Sequence, residues 1–258
     1  MGAVEGSKTL IVTGAGGGLG SKTVEALAAR GAGVLAVDID AAAAERAAEA
    51  GRRLGAEVVA HAGDASDAES VEGFVEAAVS RFGKLDGIFN NAAIEGLISP
   101  ITDYPDEEFE RVFRVNVKSV WLGMKHALPA LLEAGGGAIL NTASTGGLMG
   151  WPDISAYVGS KHAVVGLTRA VALEYAGRGI RVNVLCPGPM DTRMIWAIGE
   201  AMVPGDREEQ RRRLEATVPV GRLGRPEEVA SFAAWLLLEG PEYLTGAVLP
   251  IDGAQTTG

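Results

Sequence analysis

A tyrosine and a lysine four residues apart, Tyr157 and Lys161, are the side chains whose types and spacing point most directly to proton transfer. If this stretch is helical, the two residues share one face and the ammonium group lies close to the phenol. A free phenol has a pKa of about 10, and a nearby cation favours the phenolate. We therefore expect Lys161 to lower the pKa of Tyr157 until the phenol exchanges a proton near neutral pH. A surface tyrosine packed on a lysine stem has the same spacing, so the rest of the sequence must decide.

The size and composition of the sequence exclude several classes of protein. Its 258 residues, 47% of them hydrophobic, can bury one large core, and we predict a single domain over residues 1–258. The formal net charge of -10 makes nucleic acids and anionic membranes unfavourable partners. The sequence has no run of about twenty apolar residues and does not start like a secretion signal, so we expect a cytoplasmic protein without a membrane span.

The cysteine and histidine content also limits the chemistry. The sequence has one cysteine, Cys186, and three widely spaced histidines. A single cysteine cannot form an internal disulfide bond, which fits a reducing compartment. These residues are too few and too scattered for a zinc-type site, so we predict no metal.

Short apolar runs alternate with segments of helical periodicity along the sequence, a pattern typical of parallel strands joined by helical crossovers. The predicted strands cover residues 10–12, 34–37, 57–60, 85–89, 138–141, 181–185 and 248–251, the last at an edge because it contains Pro250. The main predicted helices cover residues 24–30, 41–54, 70–82, 106–133, 155–175 and 226–238, with Ser155 as an N-cap. We therefore predict an α/β fold: a single doubly wound Rossmann domain with a seven-stranded parallel sheet and helices on both faces.

A glycine-rich turn with Gly14, Gly18 and Gly20 follows the first predicted strand and precedes a helix. Such a turn lets the backbone approach a pyrophosphate, which the amides and dipole of the helix N-terminus then attract. The next strand ends in Asp38, where a carboxylate can accept hydrogen bonds from the adenosine ribose. The turn and the acid together predict a dinucleotide site.

The residues around the turn favour NAD over NADP. A 2'-phosphate would lie against the carboxylate of Asp38. The positions where a compensating cation is expected carry Gly16, Gly17 and Ile39 instead. A phosphate-binding P-loop does not explain the turn, because that motif needs a lysine directly after its last glycine.

Four ordered motifs make the sequence resemble the short-chain dehydrogenase/reductase family over nearly its whole length. They are Thr13-Gly14-x-x-x-Gly18-x-Gly20, Asn90-Asn91-Ala92-Ala93, Ser144, and Tyr157-x-x-x-Lys161. Ala93 and the segment Asp252-Gly253-Ala254 stand where many members have glycine, and we expect both departures to be mild.

The resemblance implies a role for each matched residue. Tyr157 resembles the general acid/base, Lys161 the cation that tunes it and contacts the nicotinamide ribose, and Ser144 the hydroxyl that holds the substrate oxygen. Asn116 resembles the asparagine that anchors a proton-relay water. The implied cofactor contacts are Asp64 at the adenine, Asn90 at a ribose, and Pro187, Gly188 and Thr192 at the nicotinamide.

The expected activity is reversible hydride transfer between NAD and a small-molecule secondary alcohol or ketone. Segment 190–218 carries Met194, Ile195, Trp196 and Met202, an apolar set suited to a lid over a hydrophobic or alicyclic substrate, although ordinary helix packing explains the same set. We also assign substrate selection to Leu148, Met149 and Trp151.

Two other functions stay open at this point. A 3-oxoacyl thioester reductase would use Arg211, Arg212 and Arg213 to meet a carrier protein, whereas a solvated helix face explains these arginines more simply. A protein that binds NAD as a sensor or scaffold would lack part of the catalytic set. By the same family resemblance, the helices at 106–133 and 155–175 predict a homotetramer.

Overall fold

A seven-stranded parallel sheet runs through the centre of the chain in the computed structural model, which describes residues 7–257. Its strands are β1 (Thr9–Thr13), β2 (Gly33–Asp38), β3 (Val58–Ala62), β4 (Gly87–Asn90), β5 (Gly137–Thr142), β6 (Ile180–Pro187) and β7 (Val248–Ile251). Their order is β3-β2-β1-β4-β5-β6-β7, so the winding reverses between β1 and β4. In such sheets a ligand crevice opens at the carboxyl ends of the strands where the winding reverses. The predicted fold class is confirmed, with strand ends shifted by one or two residues.

Helices cover both faces of the sheet. They are α1 (Gly18–Ala28), α2 (Ala41–Arg52), α3 (Ala68–Phe82), α4 (Asp106–Phe113), α5 (Ser119–Glu133), α6 (Ser155–Tyr175), α7 (Arg193–Met202), α8 (Arg207–Ala216) and α9 (Pro226–Leu238). Alternate residues of β1 serve the two layers, since Ile11 packs with α3, α5 and α6 while Leu10 and Val12 pack with α1, α2 and α9. Burial on both faces explains why the strands read as continuous apolar runs.

The helix predicted at 106–133 is interrupted. A π-helical turn at Arg114–Lys118 separates α4 from α5, and Asn116 lies within it. The apolar residues Phe113, Val117 and Val120 keep spacings of four and three across this turn, so the sequence pattern does not reveal it. The prediction of Ser155 as an N-cap is also wrong by one residue, because Ile154 caps α6 without a side-chain hydrogen bond.

Two glycines allow the turn after β1 to form. Gly14 has a φ of +63°, and a Cβ at Gly20 would lie 2.0 Å from the carbonyl oxygen of Gly14. The first needs a left-handed backbone and the second lets α1 close onto the turn.

Ala254, which belongs to a segment expected to differ only mildly from the family pattern, adopts an unfavourable backbone conformation. Its φ is +73°, the left-handed region that glycine adopts easily and alanine does not. An alanine in this conformation costs about 1–2 kcal/mol. Ala93, by contrast, keeps a negative φ.

No helix among residues 7–257 is both long enough and apolar enough to cross a membrane.

Candidate active site

One cavity of about 960 Å³ lies where the carboxyl ends of β1, β2, β4, β5 and β6 meet. Its first half is lined by the glycine turn, Asp38 and Asp64, and its second half by apolar residues of α7 and the loop after β4. Ser144, Tyr157 and Lys161 line the region between the halves. The glycine turn and the two acids of the first half are suited to hold a dinucleotide across the sheet.

The carboxylate of Asp38 is fixed at the first half of the cavity. Its Oδ2 accepts a hydrogen bond from the backbone amide of Gly16 at 2.9 Å, and its Oδ1 accepts one from the amide of Asp40 at 3.0 Å. A Cβ at Gly16 would lie 2.3 Å from the Cβ of Ala43. A side chain at position 16 would collide with Ala43, and the turn residues Gly16 and Gly17 place no cation beside Asp38.

Other predicted cofactor residues lie in different places. Asp64, Pro187, Gly188 and Thr192 line the cavity together with Gly14 and Gly18. Gly20 does not line it and acts by packing α1 onto the turn.

The side chain of Asn90 also lies outside the cavity, contrary to expectation. It is buried and its Nδ2 donates to Asn141 at 2.9 Å, whereas Asn91 lines the cavity. β4 ends at this point, so the pleat turns Asn90 inwards, and any cofactor contact of Asn90 would use its backbone.

Tyr157 and Lys161 share one face of α6, as the spacing predicted. The Lys161 Nζ lies 5.5 Å from the centre of the Tyr157 ring and donates to the carbonyl oxygen of Thr142 at 2.9 Å. Ser144 caps the short 3₁₀ turn Thr145–Gly147, and its Oγ accepts the amide of Gly146 at 3.1 Å. Strand β5 and helix α6 therefore bring the three groups together.

The pKa of the phenol moves against expectation. Burial raises the pKa of Tyr157 to about 12, although the Ser144 hydroxyl opposes the rise. Burial likewise lowers the pKa of the Lys161 ammonium to about 8. Both groups lose hydration in the same pocket, and this loss is the largest cause of each shift.

Asn116 holds the π-turn in place and does not line the cavity. Its Oδ1 accepts the amide of Ile94 at 2.8 Å, and its Nδ2 donates to the carbonyl of Ile94 at 2.9 Å and to Ser160. The side chain is fully engaged and completely buried. A relay water anchored at Asn116 would therefore contact its backbone.

The apolar half of the cavity comes from segments distant in sequence. Of the residues predicted to select the substrate, Trp151, Met194, Ile195 and Met202 line it, and Leu148, Met149 and Trp196 do not. Ile198 of the predicted segment 190–218 lines it too, and so do residues absent from the prediction, namely Ile94, Ile98, Val115 and Ile154. These lie outside any motif, and only their common apolar character marks them.

Trp196 instead links helices α7 and α8. Its Nε1 donates to Asp191 at 2.6 Å, and the guanidinium of Arg207 lies 3.2 Å from its ring centre. Arg211, Arg212 and Arg213 are paired with acidic residues of the same helix. This pairing is typical of a solvated helix face.

A bidentate ion pair ties the start of α7 to the loop after β4. The guanidinium of Arg193 donates to the two carboxylate oxygens of Glu95 at 2.8 and 3.1 Å. The Sδ of Met194 then lies 4.0 Å from the phenol oxygen of Tyr157. The start of α7 is thus held directly over the tyrosine.

Cys186 packs close to the site without taking part in its surface. Its side chain is buried, and burial raises the pKa of its thiol to about 11. The thiol is thus inert at neutral pH. Among residues 7–257 no group of three or more potential ligand side chains is placed to hold a metal ion.

Comparisons with known proteins agree with this arrangement. A family model described as enoyl-(acyl carrier protein) reductase matches residues 14–256. The chain is 41% identical to cyclohexanol dehydrogenase of Acinetobacter sp. (strain SE19), over 97% of this chain and 96% of the relative. The crystal structure of levodione reductase matches with a TM-score of 0.95 and 37% identity, over 97% of this chain and 98% of that one. NAD+-bound xylitol dehydrogenase matches with a TM-score of 0.90 and 34% identity, over 95% and 98%.

Sheet order, glycine turn and the tyrosine–lysine pair define an oxidoreductase that uses a nicotinamide cofactor. The chain belongs to the short-chain dehydrogenase/reductase family.

The lowered pKa of Lys161 predicts how stability depends on pH. Between about pH 8 and 10.5 the unfolded lysine keeps a proton that the folded lysine has lost. The unfolded state then binds more protons, so the free energy of unfolding should rise with pH, by at most about 3 kcal/mol. Above about pH 10 the raised pKa of Tyr157 acts in the opposite direction.

Urea unfolding of the protein without added cofactor, from about pH 7.5 to 9.5, measures this effect. Lys161→Met is the matched variant, because it keeps an unbranched side chain only one atom shorter and removes the titrating amine. In Lys161→Met the free energy of unfolding should not rise with pH over this range. Parallel pH curves for the two proteins would contradict the prediction.

Proposed function

We propose that this protein is an NAD(H)-dependent dehydrogenase that interconverts a secondary alcohol and a ketone on an apolar, alicyclic substrate. The observation that carries the proposal is one cavity lined by the glycine turn and Asp38, by Ser144, Tyr157 and Lys161, and by the apolar residues of α7. The relative named cyclohexanol dehydrogenase supports both the reaction and the substrate class.

The cofactor half has suitable groups for each part of NAD. The turn amides and the N-terminus of α1 would hold the pyrophosphate, and Asp38 the adenosine ribose. The remaining contacts that we propose are Asp64 at the adenine, the Asn90 backbone at a ribose, Lys161 at the nicotinamide ribose, and Pro187, Gly188 and Thr192 at the nicotinamide. When bound, the oxidised nicotinamide supplies the hydride acceptor and a positive charge beside the phenol.

The proton path uses this chain's own side chains. Ser144 Oγ holds the substrate oxygen, and the Tyr157 phenolate takes its proton during oxidation and returns it during reduction. A phenol with a pKa of about 12 needs positive charge nearby to ionise. Lys161, whose Nζ lies 5.5 Å from the centre of the ring, supplies that charge. Asn116 supports this path by holding the π-turn against the loop after β4.

The substrate half favours a compact apolar ring. Its lining includes Ile94, Ile98, Met194, Ile195 and Ile198, whose side chains offer no hydrogen bonds. The alternative of a thioester on a carrier protein relied on the arginines of α8, and these arginines are already paired with acids. The complete catalytic set argues against a sensor or scaffold without turnover.

We further propose a homotetramer in the cytoplasm. Phe109 and Trp121 on α4 and α5 are nearly half exposed, and Leu173 on the neighbouring α6 is 85% exposed. Apolar side chains exposed on adjacent helices are typical of subunit contacts. The single free thiol of Cys186 fits a reducing compartment.

The Tyr157 assignment predicts a large loss of activity in Tyr157→Phe. The ring stays and the proton donor is removed, so kcat/KM for cyclohexanol with NAD should fall about 10²–10⁴-fold. The rate is followed by NADH absorbance with a panel of alicyclic alcohols, ketones and acyl thioesters. Tyr175→Phe on the same helix is the control and should keep its activity. Near-normal turnover by Tyr157→Phe would refute the assignment.

The Asp38 assignment predicts preference for NAD. Asp38→Ala removes a carboxylate that accepts ribose hydrogen bonds. It should weaken NAD binding about tenfold or more and reduce the preference for NAD over NADP. Titrations of both cofactors with the parent and Asp38→Ala measure it. Asp40→Ala, two residues away at the N-cap of α2, should keep the preference. Tighter binding of NADP than NAD by the parent would overturn the proposal.

The tetramer is tested by sedimentation velocity. We expect one species of four subunits, and Leu173→Glu should shift it to smaller species because it places a charge in an apolar contact. A parent protein that sediments only as a monomer would refute the proposed assembly.

A further inference from the structure

Ser160 lies on α6 directly before Lys161, and its side chain is completely buried. Its Oγ donates to the carbonyl oxygen of Tyr157 at 2.7 Å and accepts from Nδ2 of Asn116 at 3.1 Å. One hydroxyl therefore joins the first turns of α6, which carry Tyr157 and Lys161, to the π-turn.

The Ser160 hydroxyl is the acceptor for one of the two N–H groups of the Asn116 amide. Both of the other hydrogen bonds of this amide go to the backbone of Ile94, in the loop after β4. Without an acceptor at Ser160, a buried N–H would have no partner. Three separate elements of the site thus meet at one amide.

We propose that Ser160 is a positioning residue for proton transfer: it sets the start of α6, and with it Tyr157 and Lys161, against the π-turn and the loop after β4. The inference rests on the proposed function of Tyr157. A displacement of about 1 Å in a reacting group can cost about a hundredfold in rate. Loss of the Ser160 hydroxyl should therefore act on the chemical step more than on binding.

The groups that face the phenol explain why a shift of α6 would be visible. Lys161 faces it from the same helix, Ser144 from the turn after β5, Glu95 from the loop after β4, and Cys186 from β6. A movement of α6 changes the distance from the phenol to every one of these groups on the other elements. The pH dependence of activity should change with it, whereas a loss of stability alone would leave that dependence unaltered.

Thr168 provides a matched control on the same helix. It is also completely buried, its Oγ1 donates to the carbonyl of Val164 at 2.8 Å, and it accepts from Nδ2 of Asn141 at 2.9 Å. The two hydroxyls make the same kind of bonds, but Thr168 lies two turns beyond Lys161. Removing it should cost stability without moving the tyrosine.

The experiment compares Ser160→Ala and Thr168→Val with the parent. Steady-state rates with NAD and cyclohexanol are measured across pH, with Tm as the measure of stability. Ser160→Ala should lower kcat about ten- to a hundredfold, keep both KM values within about twofold, and shift the pH profile. Thr168→Val should lose a similar amount of Tm while its kcat and pH profile stay close to the parent.

Two results would overturn the inference. One is a Ser160→Ala enzyme with parental kcat and pH profile, and the other is an equal loss of kcat in both variants. If Ser160→Ala does not fold, Ser160→Cys replaces it, because a thiol keeps the size and weakens the hydrogen bonds. A kcat and pH profile equal to the parent's in Ser160→Cys would overturn the inference in the same way.

A substrate-free measurement separates this inference from the proposed function. If the parent oxidises none of the alcohols, the proposed function fails, and the Cζ resonances of the four tyrosines test Ser160 directly. The Tyr157 resonance, assigned by its absence in Tyr157→Phe, should move in Ser160→Ala and stay in Thr168→Val. An unmoved resonance would refute the positioning role.

Discussion

The burial of the Lys161 amine is the constraint on which the rest of the site depends. A charged amine without water is costly, and the one close oxygen it reaches is the carbonyl of Thr142 at the end of β5. That bond requires β5 and α6 to keep one fixed relation, and the glycines after Ser144 let the helix come this near. The site therefore holds an amine whose charge is unfavourable until an opposite charge forms close to it. A phenolate next to the ammonium would lower the cost of burying each of the two charges. The two buried groups are therefore suited to change charge together.

Much of the molecule follows from the sequence because its signals are local. Continuous apolar runs identify the strands, and the glycine turn with Asp38 identifies the dinucleotide end. The shared helix face of Tyr157 and Lys161 follows from their spacing, and their catalytic role from the family motifs around them. The direction of the Tyr157 pKa does not follow, because it depends on how deeply α7 and the loop after β4 bury the phenol. Spacing reports which groups are close, and only the folded structure reports how much water they lose.

Other features were hidden for different physical reasons. The π-turn adds one residue without disturbing the apolar pattern, so Asn116 looks like part of a regular helix. Asn90 and Asn91 are identical in type, and the end of β4 decides which of them turns inwards. The isoleucines of the substrate half read as ordinary core residues until the fold places them around one space. Glu95 and Arg193 are 98 positions apart, beyond the reach of any pattern.

The crowding at Gly16 has a consequence for how cofactor preference can evolve. A side chain introduced there meets Ala43 of α2 at once, so an arginine at position 16 requires a second change or a shift of the helix. Ile39 offers a different route, since its side chain is 74% exposed immediately after Asp38. A lineage drifting towards the phosphorylated cofactor would therefore reach it most readily through residue 39 together with the loss of the Asp38 carboxylate. The glycine turn itself would remain unchanged.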